Sequence, residues 1–264
     1  VKKKMTLVPG NVFGFWMFVV ISAIVVYMIR ASENDKVKVS IRPIPGLEAI
    51  EECVGRATEM GRPVHFSPGL GDIVSTSVPD TLAALQILSY VTGVAARYDA
   101  QFLVTIRMPN VYPLAVETVR QGYTAANKAD QFKDNTVRYI SSDQDAYAAG
   151  VIGLMHQEQV ASSILAGLYM GEALLLAESA ARLGVMQVAI TASVMQVPFF
   201  VAACDYTVIG EELYAAGAYL SNDKGRLGGI AAQDYIKLIV MAMIILGTLM
   251  TSFGSTFIQE LVTK

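Results

Sequence analysis

A chain of 264 residues with 53% hydrophobic and only 16% charged side chains falls well below the ~25% charge of an average soluble domain. Part of it is therefore suited to lipid or to an unusually buried sheet. A formal charge of −3 and a pI near 5.5 argue against a nucleic-acid partner, which would want a basic face.

The opening VKKKM, with Val in first place, is read as a non-ATG start and hence a prokaryotic gene. Val12 to Ile29 then runs without a charge, with Trp16 and Tyr27 near its ends. That length just crosses the ~30 Å core of a bilayer, and aromatic residues favour its two faces. A cleaved signal peptide is the rival reading. Its apolar core would be shorter, about 7–15 residues, whereas this run continues to YMIRASEND, which favours an uncleaved anchor.

From Val37 the hydrophobic period alternates between two and about 3.6 residues. Strands are predicted at Val37–Ile41, Val64–Ser67, Phe102–Met108, Thr136–Ser141, Ser162–Leu168, Met186–Thr191 and Thr207–Ile209. Helices are predicted over LEAIEECVGRATEMG, closed by Gly61, and over Val78–Ala96, Tyr112–Asn127, Asp143–Gln157, Glu172–Leu183, Val194–Ala203 and Glu211–Leu220. Several strands are apolar on both faces, as in a parallel sheet covered by helices. The fold class is α/β, a doubly wound, mostly parallel, Rossmann-like sheet flanked by two transmembrane helices. The divisions are an anchor over 1–30, a strand-and-helix lead-in over 31–61, an α/β domain over 62–221, a linker over 222–236 and a second span over 237–260.

The second span, Leu238 to Ile258, is uncharged. It carries Gly247, Thr251 and Ser255 at every fourth position, with Gly254 beside them; Gly10 and Gly14 repeat the spacing at the first span. Small residues at this period let helices approach closely in lipid, though they are also common in any membrane helix. Two spans put both termini on one side. Lys2, Lys3, Lys4 and Lys264 lie there, against Arg30, Lys36, Lys38, Arg42, Lys224, Arg226 and Lys237 on the inner flanks. Four against seven predicts a cytoplasmic domain at the cell membrane. Cys53 and Cys204 have no metal-like spacing; they could bridge, but suit small buried hydrophobes of a reducing compartment.

Ligands of open parallel sheets bind beyond the carboxyl ends of the strands. SPGLGD, MPN, SSDQD, MGE, TAS and GEE occupy that rim, which reads as polar, glycine-rich, acidic and nearly free of Lys and Arg. The candidate ligand residues are Gly69, Gly71, Asp72, Ser142, Asp143, Glu172, Glu211 and Glu212. PGLGD suggests a phosphate loop, yet it lacks the Lys and hydroxyl of a Walker motif, and Gly69-x-Gly71 is only half of a dinucleotide fingerprint. His65 and His156 have no HxH or HExxH companion, so no zinc site is expected, and no G-x-S-x-G elbow supports a serine triad. Asp143, Glu172, Glu211 and Glu212 all open helices, where an acid meets the positive end of the macrodipole. Capping is the plain explanation; a ring of carboxylates around one crevice, able to hold a hard cation, is the functional one.

Leu47–Gly69 (LEAIEECVGRATEMGRPVHFSPG) and Cys204–Ser221 (CDYTVIGEELYAAGAYLS) resemble an uncharacterised prokaryotic family of membrane-anchored proteins, a domain of unknown function. The resemblance implies the architecture and brings no activity, cofactor or catalytic residue. The expected function is a non-enzymatic membrane-anchored scaffold, partnered by the bilayer and by further copies of itself or other membrane subunits, with no cofactor expected. The alternative is a small-molecule or cation-binding sensor or enzyme using the acidic crevice.

Overall fold

The computed structural model describes residues 12–37, 42–221 and 223–252. In chain order the elements are α1 (Val12–Glu33), α2 (Pro45–Met60), β1 (Val64–Gly69), α3 (Val78–Arg97), β2 (Phe102–Ile106), α4 (Tyr112–Ala125), β3 (Val137–Tyr139), α5 (Gln144–Gln157), β4 (Ser162–Leu168), α6 (Glu172–Arg182), β5 (Met186–Thr191), α7 (Val197–Ala203), β6 (Tyr206–Ile209), α8 (Glu212–Ser221) and α9 (Lys224–Ser252). They form two compact units: Arg42–Ser221, and the segments on either side of it. The predicted strand Val37–Ile41 falls mainly on residues 38–41, outside the described residues.

In the flanking unit, α1 and α9 are each long and apolar enough to cross a membrane, and they pack on one another. Contact is closest where side chains are small. Ala31, Ser32, Gly228 and Ala232 are buried, and a Cβ on Gly228 would stand 2.8 Å from both the Met28 carbonyl oxygen and Ser32 Cβ. Ser32 Oγ donates to the Lys224 carbonyl (2.7 Å), and Lys224 pairs with Asp35 at 2.7 Å. The chain expected to be a linker is helical from Lys224. Asp223 explains this: its Oδ1 accepts from the amides of Gly225 and Arg226, an N-cap that starts a helix. The small residues noted earlier give no second close approach at Gly14. Gly14 has nothing within 4 Å of a modest side chain's first carbon, and Gly10, Gly254 and Ser255 lie outside the described residues.

The other unit is built on six parallel strands in the order β3-β2-β1-β4-β5-β6. Helices α2, α3, α4 and α8 share one face, and α5, α6 and α7 the other. The apolar side chains of β1, β2, β4 and β5 on the first face (Phe66, Val104, Ile164 and Val188) are fully buried. Helix α2 lays Leu47, Ile50, Cys53, Val54 and Ala57 into the core, an i, i+3, i+4 stripe. It packs on β4, β5 and β6, so the compact unit starts at Arg42, ahead of this helix. The helix foreseen at Val194 begins at Val197, because Ser193–Gln196 forms a turn and Pro198 fixes the first helical turn. Strand β2 stops at Ile106, two residues early, which frees Arg107 from the sheet.

The sheet's order reverses between β1 and β4, and the two strands are bound there by glycine. Gly69 has φ +76° and Gly167 φ +124°, conformations that side chains with a Cβ avoid. Each also abuts the opposite strand: a Cβ on Gly69 would overlap the Leu168 carbonyl, and one on Gly167 the Pro68 carbonyl. The pairing register shifts between Ser67 and Gly69 at this place.

Candidate functional site

A continuous polar seam crosses the α5–α6 face of the sheet beneath the switch point. His65 on β1 joins Ser163 on β4 through Nδ1 (2.9 Å) and Thr105 on β2 through Nε2 (2.9 Å). The Thr105 hydroxyl meets the Tyr147 hydroxyl at 3.2 Å, which meets Ser67 Oγ at 2.7 Å. Tyr169 donates to the Ser67 carbonyl at 2.9 Å. All six side chains are fully buried. Burial lowers the His65 pKa from 6.5 to about 3, so the imidazole is neutral, with one nitrogen donating and the other accepting. Among the described residues the imidazole bonds these two hydroxyls and no carboxylate. Burial is also the main cause that raises the Tyr147 and Tyr169 hydroxyls; Glu172 pushes both the same way, and Arg107 opposes it at Tyr147.

Above the seam, at the carboxyl edge, the loop after β1 satisfies its own amides. Asp72 Oδ1 accepts from Val74 N (2.9 Å) and Ser75 N (2.7 Å), and Ser77 Oγ accepts from Asp72 N (3.0 Å). Those amide bonds hold the Asp72 carboxyl below its ordinary range. The carboxylate thus sits where a phosphate loop would hold its anion. Gly71 is required for a close approach to Thr81, while Gly69 serves the strand crossing.

The other predicted acids separate into local tasks. Asp143 caps α5, accepting from Ala146 N at 2.9 Å, with Ser141 Oγ behind it and Ser142 in the exposed turn between them. Glu172, only 2% exposed, accepts from Met170 N (2.9 Å) and from Gln144 Nε2 (2.7 Å), which ties α6 to α5. Glu212 opens α8 and pairs with Arg42 at 3.3 Å, while Glu211 lies in the turn before it. Among the described residues no three His, Cys, Asp or Glu stand close enough to hold a metal ion. Asp205, upstream of GEE, accepts from the Gln187 amide at 2.7 Å and so joins β6 to β5. Glu212→Gln is expected to lower stability by only a few tenths of a kcal/mol, because its ion pair is exposed and screened. Chemical denaturation at low and high salt checks this: the difference should shrink as salt rises.

Sequence reasoning missed Arg107, Tyr147, Tyr169 and Gln144. Arg107 directly precedes MPN and is a cation at the rim: its Nη1 donates to the Leu70 carbonyl at 3.2 Å. Its Nε, Asn110 Oδ1 and Gln196 Oε1 are buried without a partner among the described residues, and all three belong to loops leaving the carboxyl ends of β2 and β5. The Arg was legible from its position after a strand. The tyrosines gave no signal, since each reads as one more core aromatic.

Two open cavities lie at the opposite edge. One of about 560 Å³ lines the amino ends of β1 and β2; one of about 200 Å³ lies beside Gln187 and Asp205. Near the second, both cysteines are free thiols. Burial first, then nearby acids, push each up to about 12, which keeps them protonated and unreactive. Comparison with curated proteins and with solved structures finds no match. A family model, by contrast, matches residues 4–262, almost the full length. The chain belongs to the family described as a domain of unknown function, DUF6754.

Proposed function

We propose that the protein is a non-enzymatic, membrane-anchored scaffold whose α/β domain associates with a second copy of itself. The observation that carries this is the outer face of α6, α7 and the turns before them. No charged residue occurs between Arg182 and Asp205. On this stretch Val194 is 77% exposed, Met195 81% and Val201 55%, with Phe199 also exposed. Met170, Leu174 and Leu175 extend the patch along the neighbouring helix. Beneath it Phe200 is buried edge-on against Tyr169, 5.3 Å between ring centroids, so the outward residues stand on a fixed base. Contiguous apolar surface of this kind marks interaction sites. The stretch from Leu183 to Cys204, being uncharged, opposes no like charges when it faces its own copy. Helices α1 and α9, spanning the cell membrane, would confine copies to one plane and raise their effective concentration. The seven basic residues flanking the domain, against four at the termini, support a cytoplasmic domain.

Native mass spectrometry of the detergent-solubilised full chain tests the reading. The wild type is expected as a dimer or larger, and Phe199→Glu/Val201→Glu as a monomer with unchanged circular dichroism. A monomeric wild type, or an assembly that survives the charged pair, overturns it. The second reading, a small-molecule crevice at the carboxyl edge, draws on the unpartnered atoms of Arg107, Asn110 and Gln196. A ligand that raises the melting temperature in wild type and not in Arg107→Met would favour it over the first.

A further inference from the structure

The cleft at the amino edge has features that self-association does not use. Its volume of about 560 Å³ lies in the range of small-molecule sites, about 300–1,000 Å³. Pro63, Phe102 and Leu103 give it an apolar floor. Two lining side chains, Tyr123 (5% exposed) and Thr136 (7% exposed), are more than nine-tenths buried, and among the described residues neither hydroxyl has a protein partner. Burial raises the Tyr123 hydroxyl, so it is a neutral donor and acceptor at the cleft it lines. Neither hydroxyl oxygen is sealed from solvent, so on residues that line the cleft each is open to bond what enters it.

The charges on the rim narrow the ligand. Glu158 pairs with Arg138 at 2.8 Å, and Asp99 is held by Lys128 and Gln131. That leaves Asp130 and Lys133, an acid and a base on the strap between α4 and β3, with no ion pair among the described residues. Helices α3, α4 and α5 all end here, with Asp99, Asn127 and Gln159 in left-handed caps (φ +53°, +57° and +53°). Their carbonyl ends carry partial negative charge. Together with Asp99, Asp130 and Glu158 against Lys133 and Arg138, they disfavour a polyphosphate. A purely cationic ligand would leave Lys133 opposed.

We infer that this cleft binds a zwitterionic small molecule of the amino-acid or dipeptide class. Asp130 receives its ammonium group and Lys133 its carboxylate. The Tyr123 and Thr136 hydroxyls bond its polar backbone, and its apolar portion rests on the floor of Pro63, Phe102 and Leu103.

Isothermal titration of the full chain in detergent, with leucine and glycyl-leucine as probes, tests this. Leucinamide and N-acetylleucine each lack one charge and serve as controls. At least one probe is expected to bind, and both controls to bind about tenfold more weakly or not at all, the effect of one lost charged contact. Tyr123→Phe should weaken binding by about tenfold with no change in the melting temperature of the free protein, because the deleted hydroxyl has no partner to lose. No binding of either probe up to about 10 mM, beyond the millimolar range of weak sites, overturns the inference. So does equal binding by the Tyr123→Phe, Asp130→Asn and Lys133→Met variants, or equal binding of the controls. None of these readouts depends on whether copies associate.

Discussion

Gly167→Ala is expected to destabilise the α/β domain by about 3 kcal/mol or more, a large part of the 5–15 kcal/mol that holds a typical domain folded. Two costs combine. Alanine at φ +124° occupies a backbone region suited almost only to glycine. Its Cβ would also overlap the Pro68 carbonyl of the neighbouring strand, which cannot move without breaking the β1–β4 pairing. Gly69→Ala should behave alike, for the reciprocal reason on the other strand. Gly171→Ala is the control: Gly171 has φ −60° and ψ −27°, with nothing within 4 Å of a Cβ, so it should change stability by less than about 1 kcal/mol. Guanidinium unfolding of the detergent-solubilised chain, followed by circular dichroism, separates the three. A Gly167→Ala protein as stable as wild type would show that the two strands do not cross as described.

The second large effect is acid lability centred on His65. Its folded pKa of about 3 lies below its ordinary 6.5. Between those values the unfolded chain binds a proton that the folded chain does not, so folded stability falls as pH drops from 6.5 toward 3. At pH 5 the loss is about 2 kcal/mol relative to neutral pH. Asp72, Asp99 and Glu117 have lowered carboxyl pKa values. Their stabilisation is lost from the ordinary carboxylate range downward, so the interval from pH 6.5 to about 5 isolates the histidine. His65→Gln should be less stable at pH 7 by about 1–3 kcal/mol, since it leaves at least one of Ser163 and Thr105 imperfectly paired. Its stability should then stay nearly flat to pH 5. A wild-type curve equally flat over that interval would mean that the imidazole reaches water.

The order of elements was legible because the period of the hydrophobic pattern changes cleanly between strands and helices. Six of the strands expected from it lie within two residues of those observed, and apolar residues at successive positions in β4 and β5 announced a sheet buried on both faces. What sequence could not convey was partnership. Asp72 looks like a ligand residue in PGLGD, yet its carboxylate is occupied by amides two and three residues on. Glu172 looks like a helix cap and also reaches Gln144 on another helix. His65 reads as a lone polar residue in a strand, because its partners stand on β2 and β4, 40 and 98 residues away. The amino-edge cleft was invisible for the same reason: its hydroxyls and charges come from segments with no shared motif. The segment expected as a linker contains glycines, but Asp223 starts a helix there and Gly228 is the point where α9 meets α1.

The reversal of strand order between β1 and β4 also governs how the chain can be made. His65 and its neighbour Ser163 are 98 residues apart, so at a synthesis rate of about 5–20 residues per second β1 waits about 5–20 s for β4. Throughout that interval the half-sheet of β1, β2 and β3 has one open edge at what becomes the centre of the domain, bordered by Val64 and Phe66. An unpaired apolar edge is a template for another chain. The nascent protein is therefore most vulnerable to misassembly between the emergence of β1 and that of β4, and slowing translation after Leu168 should relieve this far less than speeding it before.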